Sequence, residues 1–405
     1  MRRSLHPLVA AAALTVTVSS ASPAAATTER GAGSVLTWNI AAIETLVAAG
    51  PAIPGSAGTL YLSYAQRAVY DAVQHSGRST SLPAAVAAAA HTVLTYYFPA
   101  QEGQLDARYE TFLAAITDNA VRDRGVAAGE AAAEALLRDR AGDGLNGTAL
   151  PLPSPVVAGV WTPAVVDPPI TAAAGSWLPK VRPFVLGSPS ELRPSGPPAL
   201  DSSEYAEDYE EVRTLGSEAS TNQAQRSVAL FWSDPPGVQS QRALRGYSVQ
   251  KNLDALDTAR LLALADTASA DALIACADAK FFYNFWRPFS AVPGGDTDGN
   301  PATVGDAAWK PLVKPTPNFP EYPSNHSCST TAMVTVLDGL DGKSPFSYTM
   351  TSVVTGATHT FTSAQQAISE VANARVWGGL HFRFSVEDGT EIGRAVGQKV
   401  LRSDR

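Results

Sequence analysis

Three separate stretches carry side chains whose types and spacing point to one chemistry. In AKFFYNFWRPFS, Lys280 and Arg287 stand seven residues apart, two helical turns, and so share about the same helix face. In FPEYPSNHSCSTTAM, Pro323-Ser324-Asn325-His326 reads as an extended approach followed by an abrupt helix start. Pro323 disfavours helix at Tyr322, and Ser324 is a good N-cap for a helix running over Ser327 to Leu340. In NARVWGGLHFRFS, Arg375 precedes His381 by six positions. A helix start with free N–H groups and a hydroxyl is a ready anion site. Lys280, Arg287 and Arg375 would neutralise the equatorial oxygens of such an anion, the arginines through a bidentate fork. One imidazole can then bond the central atom while the other handles protons at the opposite apical position. The pattern is that of a site for a highly charged tetrahedral oxyanion.

At these residues the chain resembles the superfamily of vanadium-dependent haloperoxidases and type 2 phosphatidic acid phosphatases, whose signature runs K-x6-RP, then PSGH, then SR-x5-H-x3-D. The first block is intact in Lys280, Arg287 and Pro288. The second has Asn325 where the family usually has Gly, and the third has Ala374 for the leading Ser and Ser385 for the Asp. The words FWRP, FPEYPS and RVWGG resemble the soluble haloperoxidase-type branch, and the likeness extends over most of the chain from Trp38 onward. The resemblance implies a helical-bundle fold. In its haloperoxidase form it implies vanadate as cofactor with His381 as ligand, and Lys280, Arg287, Arg375, Ser324 and the Asn325 N–H on the oxygens. His326 would bond the apical oxygen and move protons, and Lys280 would polarise bound hydrogen peroxide for attack by halide. Trp286 and Phe289 would wall a halide pocket, with core packing the plainer reading for Trp286. In its phosphatase form no cofactor is needed: His381 attacks a phosphomonoester to give a phosphohistidine, and His326 protonates the leaving oxygen. A third reading, from another class, is an exported protein that binds phosphate or another anion without turning it over. FWRP and an exported chain favour the haloperoxidase form.

The departures carry their own expectations. Asn325 is the best non-Gly residue for a left-handed conformation, which would keep its N–H turned to the anion. Ser385 cannot orient His381 as an Asp would, and Glu387 or Asp388 is the expected substitute.

The elements that must position these residues are mainly helices. Residues 1–26 read as a secretory leader, with Arg2 and Arg3, an apolar run from Leu8 to about Val18 and Ala24-Ala25-Ala26 as a cleavage site. The mature protein is therefore expected outside the cell, without a membrane span. The most apolar later window, LLALADTASADALIACADAK, is broken by Asp266, Asp271 and Asp278. A chain of 405 residues, 45% of them hydrophobic, suits packed helices around one large core or two fused ones. Net charge is −8, or −10 without Arg2 and Arg3, and no basic run appears, which argues against a nucleic-acid partner. The partners expected are small molecules (hydrogen peroxide and halide, or a phosphomonoester), and a homo-oligomer stays open.

The fold class is all-α: two fused helical bundles with a small β-hairpin. Residues 27–150 form the N-terminal bundle, 151–200 a Pro-rich loop that wraps and packs through Trp161 and Trp177, and 201–405 a second bundle carrying the site. Its site-bearing helices are expected over Thr258–Phe285, Ser327–Leu340, Ala364–Val376 and Val386–Leu401, with a hairpin in SYTMTSVVTGATHTFTS. The only two cysteines, Cys276 and Cys328, each stand within a turn of a site residue, close enough for a disulfide that export permits; a pair of buried thiols is the alternative. DTDGN lacks the downstream bidentate Glu of a calcium loop. His75, His91 and His359 have no partner motif and read as structural.

Overall fold

A computed structural model of the protein describes residues 31–50, 57–153, 157–164, 170–342 and 345–404, so the leader expected over 1–26 lies outside the described residues. The first bundle comprises α1 (Gly33–Ala49), α2 (Gly58–Gln74), α3 (Leu82–Tyr97), α4 (Glu102–Ala114) and α5 (Asn119–Asp139). Local signals start them: Ser81 caps α3 by accepting from the Ala84 N–H, with Pro83 in the first turn, and Asp118 caps α5 by accepting from Val121. The second half contains α6 (Ser203–Leu215), α7 (Gln223–Phe231), α8 (Pro236–Gln250), α9 (Ala255–Tyr283) and the single turn α10 (Pro288–Ala291). It continues through α11 (Asn325–Asp341), a hairpin of β1 (Tyr348–Thr351) and β2 (Thr358–Phe361), α12 (Ala364–Trp377) and α13 (Arg383–Ser403). The hairpin pairs Met350 with His359, and is the one sheet among the described residues. The all-α expectation therefore holds.

Helix α9 organises both halves. Its small residues and leucines are buried all round, because it packs against α2 on one side and against α11 and α13 on the other. Burying its aspartates is tolerated because each has a hydrogen-bond or ion-pair partner, and burial raises the pKa of Asp266, whose Oδ2 has none, toward the neutral acid. Gln241 donates to Asp266, Arg193 grips Asp278 at 2.6 and 2.9 Å, and Asp271 accepts three backbone N–H groups, from Phe184, Val185 and Leu186, at 2.7, 2.7 and 3.1 Å. This last clamp ties the Pro-rich segment to the helix carrying Lys280. Trp161 and Trp177 of that segment are buried. The α9 helix ends at Tyr283, short of the expected Phe285, because Asn284 turns left-handed (φ 52°) and donates its N–H to Lys280 O at 2.8 Å. No helix among the described residues is long and apolar enough to cross a membrane.

Helices α11 and α13 approach closely through glycine. A Cβ on Gly393 would meet Cys328 O at 2.4 Å, so the residue fixes the depth at which the site-bearing helix α11 sits. In the same layer Cys276 and Cys328 are free, buried thiols rather than a disulfide. The Cys276 thiol donates to Pro323 O at 3.4 Å, and burial together with its hydrogen bond to Cys276 holds Cys328 far above the usual thiol range.

Candidate active site

Lys280 lies in the last turn of α9 and is 1% exposed. Its Nζ donates to Pro320 O at 3.2 Å, to Glu321 O at 2.7 Å and to Pro323 O. An ammonium has three donors, and three carbonyls take them. Lys280, expected on an oxyanion oxygen, instead holds the 320–323 backbone in place. Arg287, fully buried, caps α10 and is locked by Phe319 O at 2.8 Å and Leu380 O at 3.0 Å. With a longer contact to Pro320 O at 3.4 Å, it still keeps two of its five N–H groups unassigned.

Ser324 is the N-cap of α11: its hydroxyl accepts from Ser327 N at 3.4 Å, and its own N–H donates to Ser385 O at 3.0 Å. Because Ser324 supplies the non-helical cap, Asn325 is already helical. The left-handed conformation expected for Asn325 is not adopted; among the described non-glycine residues Asn146, Asn252 and Asn284 have it. The N–H groups of Asn325 and His326 remain as first-turn donors without an intrahelical partner.

His381 emerges from the Gly378-Gly379 turn, where Gly379 has φ +72° and a Cβ would meet Gly216 O at 2.4 Å. Its Nδ1 lies 2.7 Å from Glu321 Oε1, which also accepts from the Phe382 N–H at 3.1 Å. Ser385 Oγ is a weaker neighbour at 3.4 Å. Neither expected substitute reaches the imidazole: Glu387 is exposed, and Asp388 accepts from the Tyr322 hydroxyl. The carboxylate comes from upstream, out of the FPEYPSNH stretch itself. A lone acid inside an apolar, Pro-rich run was the signal for it. With Nδ1 engaged, His381 has Nε2 as its free ring nitrogen.

A cavity of about 820 Å³ opens over these groups. Asn325, His326, Ser329, Arg375 and His381 are at its floor; Leu273, Phe289, Pro311, Pro315, Pro317 and Phe319 make apolar walls. Ala164 and Ala174 of the Pro-rich segment also reach it. Lys280, Arg287 and Ser324 stand behind the floor rather than on it. Phe289 lines the cavity, whereas Trp286 is 4% exposed in an aromatic core with Tyr205, Phe285 and Phe382. His91 pairs with Asp106 and His359 with Glu370, both away from the cavity floor.

Burial sets the electrostatics. Desolvation pulls Lys280 down to about 8, Arg287 to about 10 and Arg375 to about 9, and pushes Glu321 up to about 7 against the opposing pull of Lys280 and Arg287. Burial and the three cations hold His326 and His381 well below the usual imidazole range, so both are neutral at pH 7. Three cations against one carboxylate leave excess positive charge in a dry place, a cost of several kcal/mol per unpaired ion in general. A bound anion relieves it. Arg375, 3% exposed, has its Nη1 on Trp232 O at 3.1 Å and its Nε without a partner, a buried donor on a cavity-lining residue. Two neutral imidazoles, a fixed guanidinium and free helix-start N–H groups fit a vanadate or phosphate oxyanion.

Comparison with known proteins gives a consistent set of likenesses. Residues 260–404 match the family of the VCPO second helical-bundle domain. Over 172 residues the chain is 30% identical to the vanadium chloroperoxidase of Curvularia inaequalis, a match spanning 35% of this chain and 27% of that protein; the chain thus spans about a quarter of that relative's length. The first bacterial vanadium-dependent iodoperoxidase superposes with a TM-score of 0.75 at 22% identity, over 91% of this chain and 95% of that one. The holo-type bacterial vanadium-dependent chloroperoxidase superposes at 0.65 with 17% identity, over 87% and 93% of the two chains.

Proposed function

We propose that the chain, whose residues 260–404 match the VCPO second helical-bundle domain family and whose fold superposes on bacterial vanadium-dependent haloperoxidases, is an exported haloperoxidase-type enzyme that oxidises halide with hydrogen peroxide at a vanadate held by His381. The observation that carries the proposal is the cavity floor. There His381 has Nε2 free and Nδ1 held by buried Glu321, amid cations that have too few anions. Vanadate, when bound, would supply a Lewis-acid centre that activates hydrogen peroxide. The protein's own groups do the rest. Glu321 fixes the tautomer of His381 so that Nε2 carries a lone pair. Arg375 and Arg287 neutralise oxygen charge, and the Asn325 and His326 N–H groups add the helix-start field. His326, neutral at pH 7, accepts a proton from the apical side. The apolar walls narrow the approach of water to the floor.

One observation favours phosphomonoester hydrolysis as a second reading. Lys280 has committed all three N–H groups to carbonyls and has none left for a peroxide oxygen. Hydrolysis needs only His381 as nucleophile, His326 as the acid once an anion raises its proton affinity, and the arginines around the trigonal-bipyramidal state.

Two assays run in parallel separate the readings. The mature protein, dialysed with and without orthovanadate, is assayed for dye halogenation with peroxide and bromide or chloride, and for release of phosphate from a chromogenic monoester. We expect halogenation that requires vanadate and falls by about 10³-fold or more in His381→Ala, as loss of an essential reacting group does. Vanadate-inhibited phosphate release with the same sensitivity would instead establish the hydrolase. Silence in both, with anion binding intact, would leave a non-catalytic anion-binding protein.

A further inference from the structure

A buried polar atom without a protein partner calls for one from water, an ion or a ligand, and on a residue that lines a cavity a ligand can supply it. Among the described residues, two such side-chain atoms belong to residues that line the cavity: Arg375 Nε and Asn325 Oδ1. The first is a donor on a guanidinium that is 3% exposed and anchored by Trp232 O. The second is an acceptor on the first residue of α11, its backbone set by the Ser324 cap, next to His326. Cations and helix-start N–H groups alone make a site of pure donors, which any dianion satisfies. An acceptor set among them is different, because only an anion that carries its own proton can serve it.

We propose that Asn325 is a specificity-determining residue whose side-chain carbonyl accepts a hydrogen bond from a protonated oxyanion held by Arg375, so that the site selects hydrogen phosphate-type anions and rejects aprotic ones such as sulfate. The inference rests on the reading of the cavity floor as an oxyanion site and names the form of the anion that it takes. At mildly alkaline pH inorganic phosphate and sulfate are both tetrahedral dianions of similar size, and phosphate alone retains a hydrogen. With phosphate, the Asn325 carbonyl is satisfied. With sulfate, it faces an anionic oxygen in a half-enclosed site, at the cost of its desolvation and of lone-pair repulsion. Sites that bury a specific hydrogen-bonding group reject ligands lacking its complement far more strongly than sites that only lose apolar contact. The position at which the superfamily usually has Gly thus becomes a filter in this chain.

Calorimetric titration of the full mature protein with inorganic phosphate and with sulfate, at mildly alkaline pH, tests it. The wild type is expected to bind phosphate about 10- to 100-fold more tightly than sulfate. Asn325→Ala should bring the two affinities to within about threefold, chiefly by improving sulfate. Asn325→Asp keeps an acceptor, suits a helix start, and should retain the preference. Equal binding of both anions by the wild type overturns the inference; so does a preference that survives Asn325→Ala. If neither anion binds, the oxyanion site falls and takes this inference with it, whereas binding without discrimination removes the inference alone.

Discussion

Glu321→Gln is expected to lower kcat/KM by about 10²- to 10⁴-fold without unfolding the protein, because the change inverts the tautomer of His381. In the wild type the carboxylate takes the Nδ1 hydrogen, so Nε2 presents a lone pair to the anion. A Gln amide that turns its NH2 to Nδ1 gives the ring a hydrogen at the cost of the Phe382 N–H bond to Oε1, and the ring proton then sits on Nε2 and closes it as ligand or nucleophile. The same geometry predicts a pH limb. Burial pushes Glu321 up to about 7. Above that value the ionised carboxylate accepts from Nδ1–H, and the site is competent. Below it the protonated carboxyl donates to Nδ1, Nε2 carries the proton, and activity falls. The kcat/KM profile, which reports groups of the free enzyme, should therefore rise through about pH 7 in the wild type and lose that limb in Glu321→Gln. Activity within threefold of wild type, or an unchanged limb, would contradict the assignment.

Asp271→Ala is expected to cost about 2–4 kcal/mol of stability, since it strands one buried N–H group, that of Leu186, and two half-buried ones, those of Phe184 and Val185, each losing a charge-assisted bond. Asp271 is fully buried in α9, and desolvation raises its pKa, so part of the loss is offset by no longer burying a charge. The three orphaned donors outweigh that relief. The Phe184–Leu186 backbone should loosen as a unit, and with it a segment whose Ala174 reaches the cavity. Chemical denaturation measures the first effect. Limited proteolysis under native conditions measures the second, as new cleavage between residues 184 and 200. Stability within 1 kcal/mol of wild type and unchanged cleavage would show that the clamp does little.

Much of the site was legible because its parts are local. Ser324 as a cap, His326 at the helix mouth and Arg375 near a helix end depend on neighbours within one turn, and the structure places them so. The helical spans were equally readable, because the apolar spacing is strong and caps such as Ser81 and Asp118 are explicit. What the sequence hid was long-range. Glu321 orients a histidine sixty positions away, and reading forward from His381 led to Glu387 and Asp388, which the fold turns elsewhere. Lys280 looked like an oxyanion ligand because its charge was visible and the three carbonyls converging on it were not. The intrinsic preference of Asn325 points to a left-handed conformation. The cap before it had already decided for helix.

The central claim is that these residues form one oxyanion site with His381 Nε2 at its focus. Equilibrium binding of orthovanadate to the protein and to His381→Ala, followed by calorimetry, tests it most directly. We predict saturable one-to-one binding by the wild type and an affinity at least about 100-fold weaker in the variant. No saturable binding, or binding that His381→Ala leaves unchanged, would contradict it.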